Sequence, residues 1–367
     1  MIDYGTSFEL SGAASGGGEP SGPHRAPDGI RTPGEEIMKA IRILRPGEPE
    51  VLELVDVEPE SPGPGQLGVS VHATSVNRAD LLQRRGGYPA PSGWPVDIPG
   101  LEFAGVVEEV GEGVDESVVG SWVMGLLGGG GYAEHVVTEA AHTMRIPAGL
   151  QFIEAAALPE AFLTAYDAIV LQAGLKDGMT ILVHAAGSGV GTAALQVART
   201  FGASRIFGTA SPGKLAAIAE RELPLDVPID YTRQSFRDVI RRETGGRGVD
   251  LVLDLVGATY WSDNVASLAP RGALLLVGLL GGTMAQINLG VLMRRRLKVI
   301  GTVLRSRESE EKVALTERAD RDLSPHFASG ELESVVDRVF PLARAAEAHT
   351  YVEENRNLGK VVLRVRS

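Results

Sequence analysis

Ten residues, Leu182-Val-His-Ala-Ala-Gly-Ser-Gly-Val-Gly191, hold the clearest chemistry in the chain. An apolar, strand-like run enters this segment, and Thr192-Ala-Ala-Leu-Gln-Val-Ala-Arg199, with helical spacing, leaves it. A small-residue turn lets the backbone approach a phosphate closely. The helix behind it aims free N–H groups and the positive end of its dipole at the same point, which makes a pyrophosphate site. A Gly-x-Gly-x-x-Gly reading that ends at Gly191 meets Ala186 and Ser188 where glycines are usual. Both are small, and Ser188 adds a hydroxyl.

The residue about 20 positions beyond such a turn selects the cofactor. An acid there would bind the ribose 2′-hydroxyl of NAD and repel a 2′-phosphate. Here Arg205-Ile-Phe-Gly208 runs into Thr209-Ala-Ser-Pro-Gly-Lys214, with no acid. Ser211 supplies a hydrogen-bond donor and Lys214 a cation, so NADPH is the expected cofactor. The plain alternative for Lys214 is a solvated helix residue.

These residues need a frame that holds them. Strand-like runs at 180–184, 205–208, 249–255 and 273–278, with helical stretches between the first three, predict a parallel sheet with crossover helices. Upstream, 38–44, 66–72, 103–110 and 132–137 read as short strands divided by turns, a compact and mostly β region. The end of the chain gives a charged helix-like segment, a second helical stretch at 345–354 and a last strand at 360–365. Residues 1–37 are small and polar, with too little apolar surface to offset the entropy of ordering, and are expected to be a disordered extension; Met38 is a candidate start of the folded protein.

Composition narrows the possibilities. The 367 residues can hold two domains, and 44% hydrophobic with 22% charged residues is ordinary for a globular protein. A formal net charge of -12 argues against nucleic-acid binding. There is no cysteine, which removes disulfides, thiolate nucleophiles and cysteine-held metals. No apolar run is long enough to span a bilayer and no secretory signal opens the chain, so the expectation is a cytoplasmic protein without a membrane partner.

From Met38 to the C-terminus the chain resembles the quinone oxidoreductase branch of the medium-chain dehydrogenase/reductases. The likeness rests on Ser75-Val-Asn-Arg-Ala-Asp80, Pro99-Gly-Leu-Glu-Phe-Ala-Gly105, Glu160-Ala-Phe-Leu-Thr-Ala-Tyr166, Ser188-Gly-Val-Gly-Thr192, Val303-Leu-Arg-Ser-Arg307 and Asn357-Leu-Gly-Lys-Val-Val362. The resemblance implies an α/β fold: a GroES-like β domain plus a doubly wound parallel (Rossmann) NADP-binding domain. It divides the chain into a catalytic domain over 38–160, the Rossmann domain over 161–307, and a return to the catalytic domain over 308–367. It implies cofactor contacts at Tyr88, Ser188, Gly189, Val190, Gly191, Lys214, Tyr231, Ser306 and Asn357. By the nicotinamide it puts Asn77, Asp80 and Tyr88, with Tyr88 orienting the ring or donating a proton to oxyanion charge. Asp230, beside Tyr231, reads as a solvated charge, and His184 as a packing or hydrogen-bonding residue.

Zinc alcohol dehydrogenases of this superfamily hold their catalytic metal with a cysteine, a histidine and a second cysteine. The first two positions resemble Asn77 and Leu101 here, and no cysteine exists for the third. The expected activity is therefore zinc-independent, NADPH-dependent reduction of a quinone or related conjugated carbonyl, a small-molecule acceptor whose reduced anion a few hydrogen bonds can support. These residues do not separate it from enoyl or enal reduction, nor from an NADPH-binding protein with a structural or sensing role. The apolar, β-prone run at 298–304 resembles the family's pairing segment, which implies a homodimer.

Overall fold

Aliphatic and β-branched side chains fill both faces of a sheet that is covered on each side, so the apolar runs become strands. The computed structural model describes residues 37–366. It opens with an antiparallel pair, β1 (Met38–Ile43) and β2 (Leu52–Val57). Next come β3 (Gln66–Val76), β4 (Glu102–Val110), β5 (Trp122–Leu126), β6 (His135–Glu139) and β7 (Thr143–Arg145). Six more follow: β8 (Thr180–Val183), β9 (Arg205–Ala210), β10 (Val227–Asp230), β11 (Val249–Asp254), β12 (Leu268–Leu276) and β13 (Lys298–Gly301). The last two are β14 (Val336–Pro341) and β15 (Lys360–Arg364). The expected extension over 1–37 lies, but for its last residue, outside the described residues.

The six strands β8 to β13 form one wholly parallel sheet in the order β10-β9-β8-β11-β12-β13. The chain enters in the middle of the sheet, so connections leave in opposite directions on either side of β8. That is the doubly wound switch point, where a crevice opens beyond the carboxyl ends of the strands. The other large sheet runs β14-β15-β3-β4-β5-β7, with β6 also on β3. β15 lies antiparallel to β3, Val361 opposite Val76 and Leu363 opposite Thr74. The last strands thus complete the sheet of the first third, the GroES-like plus Rossmann arrangement that the resemblance implies. One buried cluster spans the two units, joining Met124 and Met144 to Ile181, Val183 and Leu323. Within it, the helix Pro159–Tyr166 packs Phe162 edge-on against Phe327 of the helix Ser309–Ser329, ring centroids 5.0 Å apart.

Several strand boundaries differ from the sequence reading, and at three of them the local reason is plain. The run at 132–137 enters its ladder only at His135, because the backbone of Tyr132 serves two other segments: its N–H donates to Pro99 (2.9 Å) and its carbonyl accepts from Ile41 (2.8 Å). The run at 273–278 is the second half of β12, whose first half is masked in sequence by Pro270-Arg271-Gly272. Arg271 takes a left-handed φ of 68° there. The apolar run at 298–304 is a strand only to Gly301, after which Leu304 and Arg305 turn inward.

Glycine is required where backbones meet. A Cβ on Gly111 would stand 1.7 Å from the carbonyl oxygen of Gly63, whereas one on Gly213, in the first turn of the helix Pro212–Glu220, meets nothing within 4 Å. Gly111→Ala is expected to lower stability by about 1–3 kcal/mol or more. Gly213→Ala is expected to raise it by about 0.4–1 kcal/mol. Denaturant midpoints of the two variants check the pair, and equal shifts would contradict this packing.

Candidate active site

The dinucleotide turn is built at the end of β8. His184 passes its N–H to Leu253 (3.0 Å), Ala185 takes a left-handed φ of 48°, and Ala186 donates to Thr209 (3.0 Å). Ser188 then caps the helix Gly189–Thr200, its Oγ accepting the N–H of Gly191 at 3.0 Å. The hydroxyl proton of Ser188 stays available to a ligand while the Gly191 amide is taken. Gly189 and Val190 keep first-turn amides with no acceptor inside the helix. At Gly191 a Cβ would lie 2.2 Å from the carbonyl oxygen of Ala185, so only glycine lets helix and turn approach this closely.

Lys214 lies across this turn. A Cβ on Gly187 would meet Lys214 side-chain carbons at 2.8 and 3.0 Å. The ammonium has no hydrogen-bond or ion-pair partner among the described residues; burial and nearby Arg78 push its pKa down, while Asp337 opposes. Ser211 caps the helix Pro212–Glu220 by position alone, its hydroxyl making no capping bond. The C-terminal segment closes over the turn, Gly359 donating to the carbonyl of Gly187 (2.9 Å) and Asn357 Nδ2 to that of Gly359 (2.6 Å). Ser188, Gly189, Val190, Gly191, Lys214 and Asn357 are therefore gathered at one place.

Tyr231 follows β10 and is 49% exposed. Asp230, read as a solvated charge, instead accepts the N–H (2.9 Å) and hydroxyl (2.6 Å) of Thr232 and so shapes the Tyr231 loop. His184 is fully buried between Thr209 Oγ1 (2.9 Å) and Asn264 Oδ1 (2.6 Å), with burial pushing its pKa down to about 4: a neutral, hydrogen-bonding residue. Ser306 is exposed and has no hydrogen bond among the described residues; its neighbour Arg305 is the side chain that turns inward.

The motif Ser75-Val-Asn-Arg-Ala-Asp80 runs from the end of β3 into the helix Arg78–Arg84, capped by Asn77. Asp80 is fully buried and accepts from the N–H of Asn77 (2.7 Å), the N–H of Gly100 (3.1 Å) and the hydroxyl of Tyr132 (3.2 Å). Burial raises its pKa to about 6 against these hydrogen bonds. Both its oxygens are engaged within the protein. The Asn77 amide points the other way, donating to Glu102 Oε1 (2.8 Å) and accepting from Lys360 Nζ (2.6 Å).

Glu102 and Lys360, both buried, were missed by the sequence reading. Lys360 Nζ sits 2.8 Å from Glu102 Oε1. Glu102 also takes the hydroxyl of Ser75 and the N–H of Glu160 (2.8 Å). The signal was present: Leu101-Glu-Phe-Ala and Lys360-Val-Val-Leu each place one charge in an apolar strand, where a charge needs a partner. Arg305 and the Glu160 side chain were missed as well. Arg305 donates to Gly128 O (2.7 Å), Tyr88 O (2.9 Å) and Gln83 Oε1 (2.6 Å), and its guanidinium lies 5.1 Å from the Tyr88 ring centre. Tyr88 is partly buried, and burial, then Glu160, raise its hydroxyl pKa. The arrangement offers a phosphate-binding turn with a cation on one side, and on the other a phenol, a carboxyl and a guanidinium without a carboxylate of its own.

Comparison with known proteins decides the family. The chain matches the alcohol dehydrogenase GroES-like domain over residues 63–148 and the zinc-binding dehydrogenase family over residues 223–363. It is 33% identical to a quinone oxidoreductase of Pseudomonas aeruginosa, over 89% of this chain and 99% of that one. The chain belongs to the medium-chain dehydrogenase/reductases. The crystal structure of Escherichia coli quinone oxidoreductase complexed with NADPH superposes with a TM-score of 0.80 at 29% identity, over 89% of this chain and 100% of the other. The apo JamJ enoyl reductase does so with a TM-score of 0.80 at 27% identity, over 90% and 99%. The protein is an oxidoreductase of this family, with a nicotinamide-dinucleotide type of cofactor site.

The buried ion pair gives this subsection its test. Removing one partner of a buried pair leaves an uncompensated charge, typically at a cost of about 3–5 kcal/mol. Lys360→Met is expected to destabilise the protein by that amount. The double variant Glu102→Gln/Lys360→Met should lose less than the sum of its two single variants, as a double-mutant cycle on chemical denaturation will read. Strict additivity would mean that the two side chains do not interact.

Proposed function

We propose that this oxidoreductase is an NADPH-dependent, zinc-independent reductase of quinones or related conjugated carbonyls. What supports the reading most is the occupancy of the polar pocket beside Asn77: its oxygens hold the Lys360 ammonium. A zinc ion does not fit these residues. Leu101 is aliphatic and buried, the chain has no cysteine, and a cation already satisfies Asn77 and Glu102. Chemistry that needs little electrophilic activation suits such a site.

The residues that would hold NADPH are the turn Ser188, Gly189, Val190 and Gly191, with Asn357 beside it, Tyr231 toward the adenosine, and Ser211 with Lys214 toward the 2′-phosphate. When bound, NADPH supplies the hydride. Tyr88, held by Arg305 through its carbonyl and beneath its guanidinium, presents a hydroxyl to oxyanion charge on the acceptor, and the arginine adds a fixed positive field in a water-poor setting. Asn77 and Asp80 hold the wall: Asp80 fixes the start of its helix against Gly100 and Tyr132, and Asn77 fixes Lys360. Enoyl reduction is the second reading, favoured by the likeness to an enoyl reductase. Initial rates with 1,2-naphthoquinone against 2-alkenals separate the two.

Cofactor choice follows from Lys214. A hydrogen bond to a charged group is worth about 1.5–3 kcal/mol, or about ten- to a hundred-fold in affinity. Lys214→Ala is expected to weaken NADPH by that factor, leave NADH nearly unchanged, and erase a wild-type preference that added salt should also narrow. An equal loss for both cofactors would contradict this role.

We further infer a homodimer. β13 is one of the two edge strands of the parallel sheet, with Val299 and Val303 exposed and Leu289 and Met293 of the preceding helix Leu289–Arg295 exposed as well. An unpaired, apolar edge of this kind is ordinarily covered. Light scattering at micromolar concentration is expected to give twice the 38.7 kDa chain mass; a monomer would overturn the inference.

A further inference from the structure

Beside Tyr88 and Arg305 a small cavity of ≈ 10 Å³ is lined mostly by apolar groups, among them Leu126 and Leu304, with His142, Glu160, Arg305 and Lys312 also on its wall. That is room for about one water. Glu160 enters it from the first turn of the helix Pro159–Tyr166, whose position is fixed by the bond from the Glu160 N–H to Glu102. The backbone is anchored, yet the carboxyl itself has no hydrogen-bond or ion-pair partner among the described residues. A partly buried carboxyl with no partner, facing a small, largely apolar cavity next to a phenol and a guanidinium, has no packing role that an apolar residue would not fill better.

We propose that Glu160 is the proton donor of this site, giving its carboxyl proton to the oxygen of the reduced acceptor. The proposal rests on the reductase reading above. In the step, the acceptor takes the hydride's hydrogen and electron pair from NADPH. The O–H bond of Glu160 breaks as a new O–H forms on the acceptor, directly or through the Tyr88 hydroxyl. The carboxylate left behind faces Arg305 and Lys312, and is reprotonated through the water-sized cavity on the side of the partly exposed Lys312. One hydride and one proton are consumed per acceptor reduced.

The surroundings keep the acid form at neutral pH. Burial raises the Glu160 pKa to about 8, Glu102 on β4 and Asp80 on the helix Arg78–Arg84 add to it, and Lys360 on β15 and Arg305 oppose. Lys312, on the helix Ser309–Ser329, also faces it, and His142 is held neutral by burial. Tyr88, with its raised pKa, stays protonated over the same range. The acid form is therefore present below about pH 8 and lost above it, so kcat should fall as pH rises through that value.

Glu160→Gln keeps the shape and removes the proton. General acid catalysis contributes about 10²–10⁴-fold, so kcat for 1,2-naphthoquinone at pH 7 should drop by at least about 10²-fold, with the alkaline fall gone and NADPH affinity unchanged by fluorescence titration. Lys312→Met removes a cation that favours the carboxylate, so it should move the alkaline fall to higher pH; a merely structural role would not. Infrared difference spectra of the protein alone should show a protonated carboxyl lost near pH 8 in the wild type and missing in Glu160→Gln. A Gln variant with wild-type kcat and pH profile, an unmoved fall in Lys312→Met, or no such infrared band would each overturn the proposal while leaving quinone reduction standing. If the wild type turns over no acceptor while the band is present, the reductase reading fails and takes the donor role with it.

Discussion

The buried pair Glu102–Lys360 is the constraint on which the rest of this site depends. Taking both charges out of water is expensive, and their attraction repays it only when the remaining lone pairs are satisfied. Here they are: Glu102 also accepts from Ser75, Asn77 and the backbone of Glu160. Each contact ties a different segment to β4. Ser75 and Asn77 bring the end of β3 and the helix behind it, Glu160 brings the helix that crosses between the two sheets, and Lys360 brings the strand that returns from the end of the chain. The two halves of the catalytic sheet come from positions 258 residues apart, and the ion pair joins them at the site itself.

The same lysine links that sheet to the dinucleotide turn. Its side chain lies so close to Gly189 that a Cβ there would stand 2.5 Å from it, and Gly359 next to it bonds the carbonyl of Gly187. The strand that completes one sheet therefore also stands against the turn at the switch point of the other. Arg305 makes the complementary tie from the far side. It leaves the last strand of the parallel sheet and binds Gln83, Tyr88 and Gly128, all in the GroES-like unit.

Much of this frame was legible in the sequence, for reasons that are local. The turn at 182–191 and the alternation of apolar runs with helical stretches are near-neighbour signals, and they led to the parallel sheet and its phosphate end. The pairing of β15 with β3 left no such trace, because a register between distant strands has no periodicity along the chain; it followed only from family likeness. The candidate site was legible to the extent that its residues stand in recognisable motifs, as Asn77 and Asp80 do. What stayed hidden was the inward turn of charged groups. Glu160 and Arg305 read as two more charges in a chain that is 22% charged, Glu102 and Lys360 are marked only as lone charges in apolar strands, and the fold alone reveals which acid meets which base. At Ser306 the motif drew attention to the residue beside the one that is buried.

Charge at the site follows from these pairings. Glu102 is paired with Lys360, and Asp80, whose pKa burial raises to about 6, faces Arg305 from the helix Arg78–Arg84. Glu160 keeps its proton first because it is buried, and then because Glu102 and Asp80 stand near it, against the opposing pull of Lys360 and Arg305. A neutral acceptor that gains a hydride becomes an anion in this balanced pocket, and the added charge is unfavourable where water is scarce. Passing the proton from Glu160 moves that charge onto a carboxylate beside Arg305 and Lys312, at the cavity through which solvent can restore it. Burial, biased by four charged neighbours, thus sets the protonation state of Glu160, and with it the direction in which a proton can move.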